Sequence, residues 1–206
     1  MPAKVTNRVR IIGGTWRSRV IEFADAESLR PTANRVRETL FNWLGQSLHG
    51  KRCLDLFAGS GALGFEAASR GAAEVVMLEI HRSAIEALKT NQRRLAATSC
   101  RVIAMDALQF LAGSREKFDI VFVDPPFASG LLPAVLGKLP GSLVSGGVTY
   151  AEWGAPIAGV IEKLPGQPWE IAKQGRAGAV HFAILQAPIQ TDQRTSDDQS
   201  RLPRNI

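Results

Sequence analysis

Short apolar runs alternate with amphipathic segments along the chain from residue 52 onward. The apolar runs predict six strands, at residues 53–57, 74–79, 100–105, 118–124, 148–153 and 180–186. Helical periodicity occupies several of the intervals between them, at about residues 61–70, 82–97, 106–113 and 131–139. This alternation predicts a parallel sheet with helices on both faces and an antiparallel pair at its end. The segments 140–147 and 154–168 are rich in glycine and proline and are predicted to be loops.

The first part of the chain has a different pattern, which predicts a β-hairpin. Gly13-Gly14 separates two strand-like runs, and a two-residue turn at this point would bring arginines face to face across the hairpin. The facing pairs would be Arg10 with Arg17 and Arg8 with Arg19. Like charges opposite one another are unfavourable, so this register predicts a phosphate-bearing partner. A turn nearer residues 16–18 would instead leave the arginines simply solvated.

A helix is predicted to begin at Pro31-Thr32, with Thr32 as its N-cap. Its apolar positions recur every four residues and are Val36, Leu40, Leu44 and Leu48. Arg35 and Arg37 lie near the helix start, where positive charge opposes the macrodipole. Local helix stability therefore does not explain these two arginines, and a ligand phosphate or a substrate backbone would.

The excess charge of the chain lies before residue 53. The 206 residues carry a net charge of +6. Residues 1–52 hold ten Lys or Arg against four Asp or Glu, and the remaining residues hold 15 of each kind, so they cancel. This asymmetry predicts a polyanionic partner for the N-terminal segment.

Composition and cysteine usage indicate the broad class of the protein. A hydrophobic fraction of 45% and a charged fraction of 21% are typical of a globular domain. The sequence shows no apolar run of membrane-spanning length and no secretory h-region, which favours a cytoplasmic location. Cys53 and Cys100 lie in predicted buried strands without metal-ligand spacing, so they are predicted to be reduced core thiols, and no metal site is predicted. The polar stretch 188–206 is predicted to be a disordered tail.

A glycine-rich turn follows the first predicted strand of the sheet. In the segment 55–64, Gly59, Gly61 and Gly64 match the G-x-G-x-x-G pattern between a strand and a helix. Glu79 ends the next strand, where a carboxylate can accept hydrogen bonds from ribose hydroxyls. An NAD enzyme and an S-adenosylmethionine (AdoMet) enzyme both satisfy this arrangement, and a glycine turn used only for packing is the third alternative.

Two further acidic positions favour AdoMet. Asp55 precedes the first glycine by four residues, where it can meet the cationic amino-acid end of AdoMet rather than a pyrophosphate. Asp106-Ala107 closes the third strand and suits an adenine amino group, although Asp106 could equally be the N-cap of the following helix, or serve both roles. The predicted cofactor contacts are Asp55, Phe57, Ala58, Gly59, Ser60, Gly61, Glu79, Asp106 and Ala107.

The residues Asp124-Pro125-Pro126-Phe127 stand at the end of the predicted strand 118–124 and form the candidate acceptor site. An exocyclic base amine is a poor nucleophile, and the Asp124 carboxylate and the Pro125 carbonyl can accept its hydrogens. The prolines restrict the backbone, and the Phe127 ring can stack on a base. The target nucleotide must then be unpaired or flipped out of its stack. The alternative is a polar turn that merely ends a strand.

Five segments together resemble the bacterial 16S ribosomal RNA guanine-N2 methyltransferases, the ribosomal small subunit methyltransferase D family. They are residues 10–17 (Arg-Ile-Ile-Gly-Gly-Thr-Trp-Arg), 29–32 (Leu-Arg-Pro-Thr), 35–44, 55–64 and 124–127. The resemblance covers roughly residues 8–186 in unbroken order. Many amino-methyltransferases share the last two segments, whereas the arginine-rich N-terminal signature is much more specific.

The resemblance implies an α/β fold of the class I AdoMet-dependent methyltransferases. This fold is Rossmann-like, with a mostly parallel seven-stranded sheet, helices on both faces and here a small N-terminal β-hairpin extension. The predicted division of the chain is a basic RNA-binding extension at 1–30, a methyltransferase domain at 31–187 and the polar tail at 188–206, which has no counterpart in the resemblance. His81 stands where an acidic residue is expected, which leaves Glu79 as the ribose ligand.

The resemblance also implies an activity and its partners. AdoMet would be the donor and N2 of one guanine of 16S ribosomal RNA, of the guanine-966 type, the acceptor. The substrate would be the small ribosomal subunit or its assembly intermediate. Apart from the resemblance, the enzyme is predicted to be a monomer without a membrane or metal partner. The implied RNA contacts are Arg8, Arg10, Arg17, Arg19, Arg35 and Arg37. The alternatives are an amino-methyltransferase for adenine or cytosine, an NAD-linked oxidoreductase and a non-enzymatic RNA-binding module.

Overall fold

Seven strands form one sheet at the centre of the computed structural model, which describes residues 6–24, 34–165 and 169–187. An antiparallel hairpin of β1 (Thr6–Arg10) and β2 (Val20–Ala24) precedes it. The sheet contains β3 (Arg52–Asp55), β4 (Glu74–Glu79), β5 (Cys100–Ala104), β6 (Phe118–Val123), β7 (Leu143–Trp153), β8 (Glu170–Ala177) and β9 (Val180–Gln186). The helices are α1 (Asn34–Leu44), α2 (Ala62–Ser69), α3 (Arg82–Leu95), α4 (Ala107–Gly113), α5 (Leu131–Lys138) and α6 (Ala158–Ile161). Two 3-10 helices span Phe127–Ser129 and Leu139–Ser142, and none of these helices is long and apolar enough to cross a membrane.

The strand order of the sheet is β5-β4-β3-β6-β7-β9-β8. The pairs from β5 to β7 are parallel, and β9 runs antiparallel to both β7 and β8. Parallel neighbours need crossover connections, and the helices between the strands provide them. The predicted fold, a mostly parallel seven-stranded sheet with an antiparallel end and an N-terminal hairpin, is confirmed.

Two hydrophobic clusters cover the sheet, one on each face. Alternate strand residues point to opposite faces, so Cys53 belongs to one cluster and Leu54 to the other. The hairpin contributes Val9, Ile11, Ile21 and Phe23 to the cluster that contains Cys53. Both cysteines are buried and free, as predicted, and burial raises the pKa of each thiol to about 12.

Three predicted loops or gaps contain regular structure. The strand β8 escaped prediction because most of its residues are exposed, so it carries no apolar run. The strand β7 begins within the predicted loop 140–147, and its register against β6 shifts between the pairs Phe118–Leu143 and Ile120–Val148. The short helix α6 lies within the predicted loop 154–168.

The hairpin is present, but its predicted register is wrong. The observed pairs include Arg8 with Glu22 and Arg10 with Val20, so the connection is long and spans residues 11–19. Within it the N–H of Ile11 donates to the carbonyl of Arg19 at 2.9 Å. The two glycines are not the hairpin turn because they are held elsewhere, against helix α2.

The predicted helix near residue 32 is α1, which the structure describes from Asn34. The proposed start at Pro31-Thr32 lies outside the described residues. Val36 and Leu40 are buried as expected. The helix ends at Leu44, and Leu48 is buried beyond it rather than on its last turn.

Candidate active site

A cleft lies where the strand order of the sheet reverses. The chain leaves β3 towards β4 and β5 on one side, and β6 and β7 lie on the other side. Ligands of open α/β sheets bind outside the carboxyl ends of strands at such a switch point. The cleft has a volume of about 510 Å³ and is lined by residues that follow β3, β4, β5 and β6.

Most of the predicted site residues line this cleft. The predicted cofactor residues in its wall are Asp55, Phe57, Ala58, Gly59, Ser60, Glu79, Asp106 and Ala107. The acceptor residues in its wall are Asp124, Pro125, Pro126 and Phe127. Gly61, the N-cap of α2, is the exception: it does not line the cleft, although its neighbours Ser60 and Ala62 do. Two motifs separated by 60 residues in the sequence therefore share one cavity.

The glycine-rich turn is held by the ends of the neighbouring strands. The N–H of Leu56 donates to the carbonyl of Phe122 at 3.1 Å, and that of Ala58 donates to Leu78 at 2.9 Å. Gly61 has a φ of 81°, and a Cβ there would come within 2.6 Å of the side chains of Phe65 and Leu88. Both the backbone conformation and the close packing therefore require glycine at this position.

Glu79 connects the glycine-rich turn to the end of β4. Its Oε2 accepts a hydrogen bond from the N–H of Gly59 at 2.9 Å. Its Oε1 accepts from the N–H groups of Ile80 at 2.7 Å and His81 at 2.8 Å. These bonds hold the carboxylate in one orientation in the cleft wall.

Asp55 is the most deeply buried carboxyl group of the cleft, with 2% of its surface exposed. Its Oδ2 accepts a hydrogen bond from the N–H of Gly64 at 3.1 Å. Burial is the largest influence and raises the pKa of Asp55 to about 7, with a smaller contribution from Glu79, while backbone hydrogen bonds from Phe57 and Gly64 oppose the rise. The charge of Asp55 therefore changes near neutral pH.

Asp106 is the N-cap of α4. Its Oδ1 accepts from the N–H groups of Leu108 at 2.9 Å and Gln109 at 3.0 Å. The N-cap interpretation is confirmed. Because the same residue lines the cleft, the cap also fixes its carboxylate beside the cavity.

The acceptor motif forms the wall of the cleft next to β7. The Phe127 side chain is 39% exposed, and its ring lies edge-on to Trp153 with 5.9 Å between ring centroids. The carbonyl of Pro126 accepts hydrogen bonds from the hydroxyl of Ser129 at 2.6 Å and from its N–H at 2.9 Å. The ring is thus supported on one side and available to the cavity.

Sequence reasoning missed four residues near the acceptor motif and the cofactor turn. Ile80 and Met105 line the cleft with 62% and 40% of their surfaces exposed, which is unusual for large apolar residues. Tyr150 and Glu152 are buried in β7, and the Tyr150 hydroxyl donates to Oε1 of Glu152 at 2.7 Å. Burial, and then Glu152 and Asp124, raise the pKa of Tyr150 well above its usual value. An acidic residue inside a predicted apolar strand was the available signal for Glu152.

The predicted RNA-binding arginines fall into three groups. Arg10, Arg17, Arg19 and Arg35 have exposed side chains. Arg8 is also exposed, but it lies 3.4 Å from the carboxylate of Glu22, which partly neutralises the positive charge at this position. Arg37, which is buried, forms the third group.

Arg37 cannot contact RNA, and its prediction as an RNA-binding residue is corrected. Its side chain is fully buried. It donates to the carbonyl of Arg10 at 2.9 Å and to Oδ1 of Asn34 at 2.6 Å, and it lies 3.6 Å from Glu66. Its positive charge, which the sequence suggested would bind a substrate phosphate, instead pairs with Glu66 inside the protein.

Comparison with known proteins places the chain in a family. The family model described as Conserved hypothetical protein 95 matches residues 9–186. The ribosomal RNA small subunit methyltransferase D of Escherichia coli strain K12 is 41% identical over 187 residues, which cover 90% of this chain and 93% of that one. The solved structure of the putative methyltransferase yhhF from Escherichia coli superposes with a TM-score of 0.77 at 39% identity, over 89% of this chain and 100% of that chain.

The chain belongs to the ribosomal RNA small subunit methyltransferase D family.

The methyltransferase D fold recurs in more distant enzymes. A putative methyltransferase solved as a complex with SAH shares the fold with a TM-score of 0.68 at 16% identity, over 90% of this chain and 57% of that one. This likeness concerns the fold, and the predicted class I methyltransferase fold is confirmed. Membership of the methyltransferase D family supports the predicted donor, AdoMet. This protein is accordingly an AdoMet-dependent methyltransferase of the D family.

The charge of the cleft fits this donor. Asp55, Glu79, Asp106 and Asp124 line it, and none of the described lining residues is a lysine or an arginine. AdoMet is a cationic ligand, whereas a dinucleotide would bring a pyrophosphate close to four carboxyl groups. The residues present therefore fit the methyl donor of the methyltransferase D family and disfavour the NAD alternative.

Proposed function

We propose that the protein methylates the N2 amino group of one guanine in 16S ribosomal RNA, of the guanine-966 type. One observation carries this proposal: the Asp124 motif and the glycine-rich turn line the same cleft. A base that enters beside Asp124 would thus lie next to the methyl donor. The names of the relatives, which are ribosomal RNA small subunit methyltransferases, support the choice of substrate.

Four residues are proposed to hold the donor. Glu79, with its carboxylate oriented by three backbone N–H groups, would accept the ribose hydroxyls. Asp55 would bind the ammonium group, Asp106 the adenine amino group, and the exposed side chain of Ile80 would contact the adenine ring. When bound, AdoMet supplies an electrophilic methyl group on a sulfonium sulfur.

The acceptor residues are proposed to orient the guanine amine. The lone pair of N2 is delocalised into the ring, so the amine becomes nucleophilic only as it turns towards tetrahedral geometry. Hydrogen bonds from N2 to the Asp124 carboxylate and the Pro125 carbonyl would favour that geometry, and stacking on Phe127 would hold the ring. With AdoMet bound, N2 would bond to the methyl carbon as the bond from carbon to sulfur breaks, and N2 would lose one proton to solvent.

The N-terminal extension is proposed to bind the RNA backbone. Residues 1–30 carry the basic signature, residues 31–187 the methyltransferase domain, and residues 188–206 a tail that lies outside the described residues. Arg8, Arg10, Arg17 and Arg19 are the exposed arginines of the hairpin and its connection, and arginine forks match phosphate geometry. The macromolecular partner would be the small ribosomal subunit or its assembly intermediate.

The proposed reaction is tested on small ribosomal subunits from cells that lack the protein. After incubation with purified protein and isotope-labelled AdoMet, the RNA is digested and mapped by mass spectrometry. We expect the label as N2-methylguanosine at one position of 16S RNA. Label on adenine or cytosine would support the alternative amino-methyltransferase, and no incorporation into subunits or naked RNA would contradict an RNA substrate.

AdoMet binding should weaken as the pH falls, because Asp55 has a pKa of about 7 and binds the ammonium group only when charged. We expect the Kd for AdoMet to rise about tenfold or more between pH 7.5 and 5.5, since each pH unit below a pKa lowers the charged fraction about tenfold. Calorimetric titration at each pH measures the Kd for AdoMet. The Asp55→Asn variant is the control, with weaker binding and a flatter pH profile, and parallel profiles for both proteins would contradict the role of Asp55.

The same pKa has an effect on stability that runs in the opposite direction. The folded protein holds a proton on Asp55 that the unfolded chain releases at lower pH. In the absence of ligand, this group therefore lowers the free energy of unfolding as the pH rises from about 4 to 7.

Neutralising Arg17 and Arg19 together should reduce the salt dependence of RNA binding. The slope of log K against log salt should become shallower by about 1.5, because each lost phosphate contact removes about 0.7–0.9. The Arg82→Ala, Arg115→Ala double variant has the same net charge and removes two other exposed arginines. Equal slopes for the two double variants would mean that the hairpin connection is not the phosphate-binding surface.

A further inference from the structure

Residues 12–16, here the docked turn, are attached to helix α2 by five hydrogen bonds. Glu66 accepts from the N–H groups of Ile12 and Gly13, both at 2.8 Å. The Ser69 hydroxyl accepts from the N–H of Trp16 at 2.9 Å and donates to the carbonyl of Gly13 at 2.6 Å. The Ser69 carbonyl accepts from the N–H of Thr15 at 2.7 Å. Such a set of directional bonds defines both the position and the orientation of the turn.

The side chains that hold the docked turn are buried. Glu66 is fully buried, and Ser69 is 1% exposed. Arg37 and Arg70 flank the carboxylate, with nitrogen–oxygen distances of 3.6 Å and 2.9 Å, and form with it what we call the Glu66 cluster. A hydrogen-bonded carboxylate in a low-dielectric interior strongly disfavours displacement of its partners, because each would be left unpaired.

Gly14 shows how closely the docked turn approaches the helix. Its φ is 74°, and a Cβ at this position would lie 1.8 Å from the carbonyl oxygen of Ser69. The contact is therefore backbone against backbone, which no side chain can enter. Any residue other than glycine must move the turn away from the helix.

The helix α2 has the docked turn at one end and the cofactor turn at the other. It begins after Gly61, in the glycine-rich turn, and ends at Ser69. Its eight residues span about 12 Å. Arg17 and Arg19 directly follow the docked turn, where the N–H of Arg17 donates to the carbonyl of Gly14 and that of Arg19 to Trp16. One short helix thus connects the exposed arginines to the methyl-donor cleft.

We propose that Glu66 and Ser69 are positioning residues for methyl transfer, which lock the docked turn so that RNA held by Arg17 and Arg19 presents its base at the cleft. The inference rests on the proposed function. Neither residue lines the cleft, so both act through the backbone of the turn. Their loss should lower the rate of methyl transfer at saturating RNA rather than the affinity for RNA. A misplacement of about 1 Å at a reacting centre can lower the rate about 100-fold.

The Gly14→Ala variant tests the inference, since it displaces the turn without removing a charge. We expect the affinities for AdoMet and for small ribosomal subunits to change by no more than a few-fold. The single-turnover rate at saturating subunits should fall by about 100-fold. Hydrogen exchange of the Thr15 and Trp16 amides, which donate to Ser69, reports whether the turn has left the helix.

The matched control is Gly50→Ala. Gly50 has a φ of 75°, but nothing lies within 4 Å of a Cβ at this position, so the variant reproduces the backbone strain alone. The inference is overturned if the two variants turn over at similar rates when RNA is saturating, or if Gly14→Ala loses only affinity. If Gly14→Ala does not fold, Ser69→Ala is used, with an expected loss of about tenfold in the same rate and no change in AdoMet affinity. An unmodified protein that methylates no ribosomal RNA overturns the proposed function together with this inference, whereas an active one with an equally active Ser69→Ala variant overturns the inference alone.

Discussion

The Asp124→Ala variant should lose methyl transfer while it keeps its affinity for AdoMet within a few-fold. In the proposed site, Asp124 supplies the side-chain acceptor that favours the reactive geometry of the amine, and this interaction strengthens as the new bond forms. Removing one such oriented partner typically costs about 10²–10³-fold in kcat. Single-turnover methylation of small ribosomal subunits measures the rate, and calorimetry measures AdoMet binding.

Asp119→Asn is the control for this variant, because Asp119 lies near the start of β6, the strand that Asp124 directly follows. Its carboxylate accepts from the Lys51 ammonium and from the N–H of Arg52, both at 2.9 Å, away from the cleft. We expect this control to methylate at close to the normal rate. Substantial activity in Asp124→Ala would refute its assigned role, and an equal loss in both variants would point to the stability of the strand instead.

The Glu66→Ala variant should be the most destabilising of the substitutions considered. It leaves the buried guanidinium of Arg37 without its counter-charge and removes the acceptor of two backbone N–H groups. Burial already lowers the pKa of Arg37, and the Glu66 charge opposes that effect. Breaking a buried ion pair by removing one partner costs about 3–5 kcal/mol in the free energy of unfolding. Chemical denaturation measures the loss.

Glu86→Ala provides the comparison for an exposed pair. Glu86 lies 3.0 Å from Arg82 on the surface of α3, four residues along the helix. Exposed pairs of this spacing contribute only about 0.3–0.5 kcal/mol. A loss below about 1 kcal/mol in Glu66→Ala would contradict the view that the Glu66 cluster holds the N-terminal hairpin to the domain.

The cleft could be predicted from the sequence because its main residues lie at the ends of apolar runs. Glu79, Asp106 and Asp124 each end or directly follow a predicted strand, and Asp55 lies in the first predicted strand, which ends at Asp55 in the structure. Parallel strands present their carboxyl ends at one edge of the sheet, so these residues had to converge once the alternation of strands and helices was recognised. The bounds of β4 and β9 were predicted to the residue because each strand coincides with an apolar run of the sequence.

The N-terminal segment was predicted less well because its arrangement depends on distant partners. Arg35 and Arg37 look alike in the sequence, but only Arg37 meets Glu66, which lies 29 residues further along the chain. Gly13-Gly14 looks like a hairpin turn, but hydrogen bonds between Gly13 and the side chains of Glu66 and Ser69 hold it against α2. Local propensity therefore favoured a two-residue turn, and tertiary hydrogen bonds produced a longer connection.

The amino-acid sequence by itself determined the parallel sheet, the glycine-rich turn and the set of carboxyl groups at the strand ends, because apolar periodicity and turn chemistry are local properties. Only the tertiary structure decided which arginines face solvent and how the strands of the hairpin are paired. Those outcomes depend on contacts between residues that are far apart in the sequence. Arg37, for example, is a buried internal charge rather than a surface charge because Glu66 packs beside it.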